Sequence, residues 1–147
     1  MDHSERKQWE NDMIEKYGYF VHFVIDDSNN FIECHSHGIL VNYGHLDIQI
    51  VKSPYVKDEF ISAKLIDSCI NGIINHGFVF KHCERFTIDG REFICLLIPD
   101  EFGRIILRIV CSDNEGKYSC FDEDCDEEYA KQFTLTDKHN SYKLGIL

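Results

Sequence analysis

The chain has 147 residues, with 26 acidic against 15 basic side chains and a formal net charge of -11. That length fits one domain, residues 1–147, large enough to bury a core without staples. A hydrophobic content of 44% excludes a disordered tail. The charge repels nucleic acid and anionic membranes, so neither is expected as a general partner, and a basic protein is the charge-matched one.

In chain order, Ser4 is read as the cap of a first helix running to residue 16, with Trp9, Met13 and Ile14 as a narrow apolar stripe and Gly18 as its stop. Residues 19–25 are aromatic and β-branched and read as a strand. Asp27, Ser28, Asn29 and Asn30 supply turn chemistry, and residues 31–37 return as a second strand. Residues 38–45, broken by Asn42 and Gly44, read as a loop, and residues 47–51 as a short strand ended by Ser53 and Pro54. From Asp58 the period becomes helical: Ile61, Leu65, Ile66, Cys69, Ile70, Ile73 and Ile74 fall on one face, between an Asp58 cap and a Gly77 stop. Residues 78–88 and 91–98 flank Asp89-Gly90, a type I′ hairpin signal. Residues 104–111 form a further strand before the turn at 113–116, and a short helix follows over about 127–133. The expected architecture is α+β. It has a mainly antiparallel or mixed sheet of about six strands, one main helix packed on it and a short N-terminal helix.

The seven cysteines are odd in number and lie mostly in apolar runs, so Cys69, Cys95 and Cys111 read as small core residues. With a polar, charged N-terminus and no apolar stretch near the roughly 18 residues a membrane span needs, a cytoplasmic setting is expected.

The chemistry concentrates in the histidines. His35 and His37 stand two apart on a strand, so both rings point to one face. If the hairpin loop is residues 27–30, Asp26 pairs with Phe31, His22 with His35 and Phe20 with His37. Glu33 then lies further along the same face, beside Val24. A change of one residue in loop length would remove His22 from it. His45, in a glycine-flanked loop, is placed to fold back over the group. Imidazole is the common nitrogen ligand of zinc, and three protein ligands plus water make a catalytic site. His35, His37 and His45 are therefore the expected ligands of a divalent transition metal such as zinc, with His22 as a further ligand or base. The alternative is that these rings pack beside the core and bond to backbone. Cys34 points away from His35 and His37, and Cys83 away from its neighbour His82, which weakens either thiol as a nucleophile.

The acids Asp122, Glu123, Asp124, Asp126, Glu127 and Glu128 lack the alternation and central glycine of a calcium loop and read as a solvated face. Cys120 and Cys125 have no second pair with which to make a zinc knuckle. Phosphate loops and the Gly-x-Ser-x-Gly elbow are missing, as are clusters of basic and aromatic residues.

The run His35-Ser36-His37-Gly38 followed by Asn42-Tyr43-Gly44-His45-Leu46-Asp47-Ile48 resembles the bacterial domain-of-unknown-function 4262 family. Residues 109–118, with their Asp-x-x-Gly turn, are similar to a later family segment, as are Cys125-Asp126 and Gln132. The resemblance spans about residues 19–135. Leu46 stands where the family usually has proline, and Ser36 where it has threonine. The Gly-His element is the more general feature of the family, so the resemblance implies His45 as its shared site residue. It implies no activity.

Two functions follow from these readings. One is a non-catalytic binding or regulatory module, immunity- or inhibitor-like, whose acidic surface steers a basic partner. The other is a metal-dependent enzyme, hydrolytic in type, using the histidines. A homodimer is the structural alternative, with residues 104–111 and the apolar end at Leu144, Ile146 and Leu147 as pairing edges.

Overall fold

The computed structural model describes residues 2–99 and 103–133. Helix α1 (His3–Tyr17) begins at Asp2, not Ser4: the Asp2 carboxylate accepts the Glu5 N–H at 2.8 Å and the Glu5 side chain accepts the Asp2 N–H at 3.0 Å. This reciprocal pair satisfies two helix-end donors at once, which a lone hydroxyl two residues later would not. Gly18, at φ 83°, ends the helix as expected, and no residue of α1 is buried.

Strands β1 (Phe20–Asp26) and β2 (Phe31–His37) form an antiparallel hairpin around a 3-10 turn, Asp27–Asn29. The Asp26 carboxylate accepts from Ser28 Oγ and Asn29 Nδ2, both at 2.7 Å, and holds the loop to its length. Residues 38–45, expected as loop, contain a short helix, α2 (Ile39–Tyr43). Gly38 and Gly44 bracket it at φ 98° and 72°, and Asp47 Oδ1 accepts the Ile39 N–H at 3.0 Å. The cap lies C-terminal to the helix it serves, where no local N-cap pattern would show it.

Strand β3 (Ile48–Val51) pairs antiparallel with β2 and parallel with the later strand β6 (Ile105–Cys111). Helix α3 (Glu59–His76) has the expected ends, Asp58 accepting from Ile61 N at 2.9 Å and Gly77 at φ 67°. It buries Leu65, Ile66, Cys69, Ile70 and Ile73 against the sheet. Strands β4 (Arg85–Ile88) and β5 (Arg91–Pro99) turn at Asp89 and Gly90, both at positive φ. The first of this pair is shorter than expected. Cys83 takes φ 66° and the Phe80 N–H is drawn to a side chain, so residues 78–84 do not extend the ladder. Strand β6 (Ile105–Cys111) completes a mixed sheet in the order β1-β2-β3-β6-β5-β4, an α+β architecture.

Because side chains alternate, the sheet divides two cores. Phe93, Cys95, Leu107, Ile109 and Cys34 pack under α3, while Ile94, Leu96, Ile98, Ile106 and Val110 face Tyr118 and Phe133 on the other side. The short helix expected near the end is a 3-10 turn, Glu127–Gln132. The acidic segment braces turns. Asp113 accepts from the backbone of Glu115, Lys117 and Asp126, Asp122 accepts from Tyr118 N, and Asp124 pairs with Lys117. Strand β6 lies between β3 and β5, so it offers no free edge for a dimer. The apolar end at residues 144–147 lies outside the described residues. Among the described residues, no helix is long and apolar enough to cross a membrane.

Candidate metal site

The hairpin sets His22 opposite His35 and Phe20 opposite His37, as the loop length implies. The same register carries the row across the sheet: His35 pairs with Gln49, Gln49 with Arg108 and Arg108 with Leu96. Leu96 belongs to the core opposite α3, so the histidines share that face, at the end where helix α1 leads into β1. Trp9 of α1 meets Phe20 edge-on with centroids 5.7 Å apart, and Phe20 stacks on His37 at 4.8 Å.

His22, His35 and His37 bring one ligating atom each within 4.8 Å of one another, and all three are half-buried. His35 Nε2 and His37 Nε2 stand 2.9 Å apart. Tetrahedral zinc, with Zn–N of about 2.0–2.1 Å, holds its nitrogens about 3.3 Å apart. Small side-chain rotations therefore suffice to open this pair around an ion.

The site's support is built from polar side chains. His35 Nδ1 meets the buried Glu33 carboxylate at 2.6 Å, and Gln49 Nε2 donates to the same oxygen at 2.9 Å. Gln49 Oε1 in turn accepts from Arg108 Nε at 2.8 Å, and Arg108 Nη1 donates to the Gln132 carbonyl at 2.9 Å. A carboxylate on one ring nitrogen fixes the tautomer and makes the other nitrogen a better ligand. Here it leaves His35 Nε2 with its lone pair toward the cluster. On the far side Arg104 Nη1 lies 3.5 Å from His37 Nδ1 and 4.0 Å from Asp47 Oδ2. A guanidinium only donates. It therefore favours His37 protonated on Nε2, donating to His35, and it must turn toward Asp47 for His37 Nε2 to ligate.

Burial, followed by the neighbouring His35, holds the pKa of His22 below the ordinary imidazole value. His37 is also lowered, by burial first, then His35 and Arg104. Both rings are thus kept neutral, the state a metal requires.

His45 does not join this group, which corrects the expected ligand set of His35, His37 and His45. Its Nε2 accepts the Phe80 N–H at 3.0 Å and its Nδ1 donates to the Leu46 carbonyl at 2.7 Å, so both nitrogens are engaged in a buried site. His22 takes the third position. Cys34 lies on the α3 face, fully buried, with its thiol pushed up to about 12 by burial first. Cys83 is exposed, away from the cluster. Gln49, Arg104 and Arg108 carry no signal in the sequence. The β2–β3 and parallel β3–β6 registers that align Gln49 and Arg108 join segments far apart in the chain, and no local pattern encodes them.

Among the described residues, these three histidines are the one group of at least three His, Cys, Asp or Glu side chains placed to hold a metal ion. Comparison with protein-family models, curated proteins and solved structures gives no match.

Proposed function

We propose that this protein is a small metal-binding module in which His22, His35 and His37 hold one divalent transition metal, zinc first. The observation that carries the reading is the convergence of three imidazoles within 4.8 Å, one of them backed by a carboxylate. Three nitrogen ligands leave a fourth position for water, the pattern of catalytic zinc, and a hydrolytic enzyme is the second reading. Binding without turnover is favoured over it for a specific reason. Glu33, the carboxylate at the cluster, already accepts from His35 and Gln49 and so supports a ligand in place of acting as a base.

The net charge of -11 supports a basic protein as partner, in the manner of an inhibitor or immunity protein. Seven unpaired cysteines support a reducing, cytoplasmic setting. Membership of the domain-of-unknown-function 4262 family, which rests on the motifs quoted above, is part of this proposal.

The test is metal content by mass spectrometry on tag-free protein purified without chelator, wild type beside the His35→Ala/His37→Ala double variant. Near-stoichiometric zinc, iron or manganese in the wild type and its loss in the variant are expected. No metal in either would leave the histidines as a hydrogen-bonded structural cluster and end the reading.

A further inference from the structure

A groove of about 260 Å³ runs between α1 and the outer edge of β1, and His22 is part of its wall. Phe20 and the β1 edge at Val21 and Phe23 line its strand side, and Arg6, Trp9 and Glu10 of α1 line the other. The groove and the histidine cluster therefore share a residue. A molecule lying in the groove reaches the metal position from the side of His22, the ligand for which no hydrogen-bond partner is found among the described residues.

We propose that this groove is the ligand-binding site of the metal centre, and that it takes a monoanionic carboxylate carrying an aromatic or compact apolar body. The inference rests on the metal reading above. Charge sets the head group. Glu33 offsets one unit of the ion's double positive charge through His35, and Arg104 is paired with Asp47, so one positive charge is left at the metal, with Arg6 on the groove flank beside His22. An anion at the open fourth position answers that charge. Glu10 limits it: one guanidinium facing one carboxylate along the groove leaves room for a single negative charge and disfavours a dianionic phosphate.

Size and lining set the body. The volume admits a ring and a head group but falls below the roughly 300–1,000 Å³ of sites for larger ligands. Trp9 and Phe20 offer the ring surface, already in edge-on contact at 5.7 Å. Aromatic pairs of this kind select another ring over an aliphatic chain. Helix α1 is suited to form such a wall. It lays Trp9 across Phe20 while burying no residue of its own.

Trp9 is the protein's single tryptophan and reports directly on the groove. Zinc uptake by the full chain is measured first by calorimetry. Benzoate, acetate and phenyl phosphate are then titrated into zinc-loaded and zinc-free protein while Trp9 emission is followed. Saturable benzoate binding is expected in the zinc-loaded protein, at least tenfold tighter than acetate or phenyl phosphate and at least tenfold tighter than in the zinc-free protein. Arg6→Gln, at an exposed position, should weaken it several-fold with zinc uptake unchanged. Zinc uptake without a benzoate preference, with equal benzoate binding in the absence of zinc, or with phenyl phosphate bound more tightly, overturns the groove assignment and leaves the metal site standing. Absence of zinc uptake overturns both.

Discussion

Two of this protein's histidine environments sit a few residues apart in sequence and could hardly differ more in use. His45 is buried, with the Phe80 N–H on one ring nitrogen and the Leu46 carbonyl on the other. His22, His35 and His37 are half-buried on the face of the hairpin away from α3 and turn their nitrogens toward one another. A histidine whose nitrogens bond to backbone is a structural part. A histidine whose nitrogens face other acceptors needs a proton or a metal between them. His82 belongs with His45, since its Nδ1 accepts the Leu97 N–H at 3.1 Å. The comparison teaches that a histidine's role follows from what its two nitrogens meet, and that neighbourhood in sequence says little about it.

Four outcomes would sharpen or break that contrast. The largest effect belongs to His35→Ala. Removing a ligand should lower zinc affinity beyond the roughly 10–100-fold typical of losing a supporting partner. His45→Ala should leave affinity within about twofold, because His45 is outside the cluster. Competitive titration against a zinc chelator checks both, and equal losses would dissolve the distinction. Glu33→Gln comes next. It keeps a hydrogen-bond acceptor for His35 but removes the charge, so a roughly 10–100-fold loss of zinc affinity is expected with the fold intact. An unchanged affinity would mean that Glu33 only braces the sheet.

Stability should rank the same residues in reverse. His45→Ala strands the Phe80 N–H, at a cost of about 1–3 kcal/mol in urea unfolding. His22→Ala, at a half-buried position with no hydrogen bond among the described residues, should cost less than His45→Ala. The opposite ranking would make the cluster the structural one.

The smallest effect is on pH. In metal-free protein, His22 and His37 bind protons less readily when folded than the ordinary value of 6.5 would give. Between the lowered values and 6.5 the unfolded chain holds more protons, so stability is greatest above 6.5 and falls as pH drops below it. Thermal unfolding at pH 7.5 and 5.5 should show this loss, and zinc should oppose it by holding both rings neutral. A melting point independent of pH, with or without zinc, would remove the claim that these rings are kept uncharged.

Much of the fold and half of the site are legible in the amino-acid order, and the parts that are not share a cause. Turn residues at 27–30 and period-two alternation together require His22 to oppose His35, because strand pairing next to a short loop is set by the length of that loop. Helix α3 is equally local: its cap, its apolar face and its glycine stop lie within one stretch of chain. At the start of α1, Ser4 is the expected cap, and the equally local pair of Asp2 with Glu5 takes its place.

The amino-acid order alone therefore determined the sheet and helix elements, the hairpin at 27–30 and the shared face of three histidines, all products of contacts between near neighbours. Tertiary structure decided the rest. The Phe80 N–H, 35 residues away, took up His45 and removed it from the ligand set. The parallel pairing of β3 with β6 put Arg108 beside Gln49, and so placed a charged brace behind Glu33 and His35. Helix α1, lying along β1, made a groove beside His22. Each of these depends on which distant segments meet. Pairing between distant segments is set by the summed burial of both faces of the sheet, a quantity that no local pattern in the chain records.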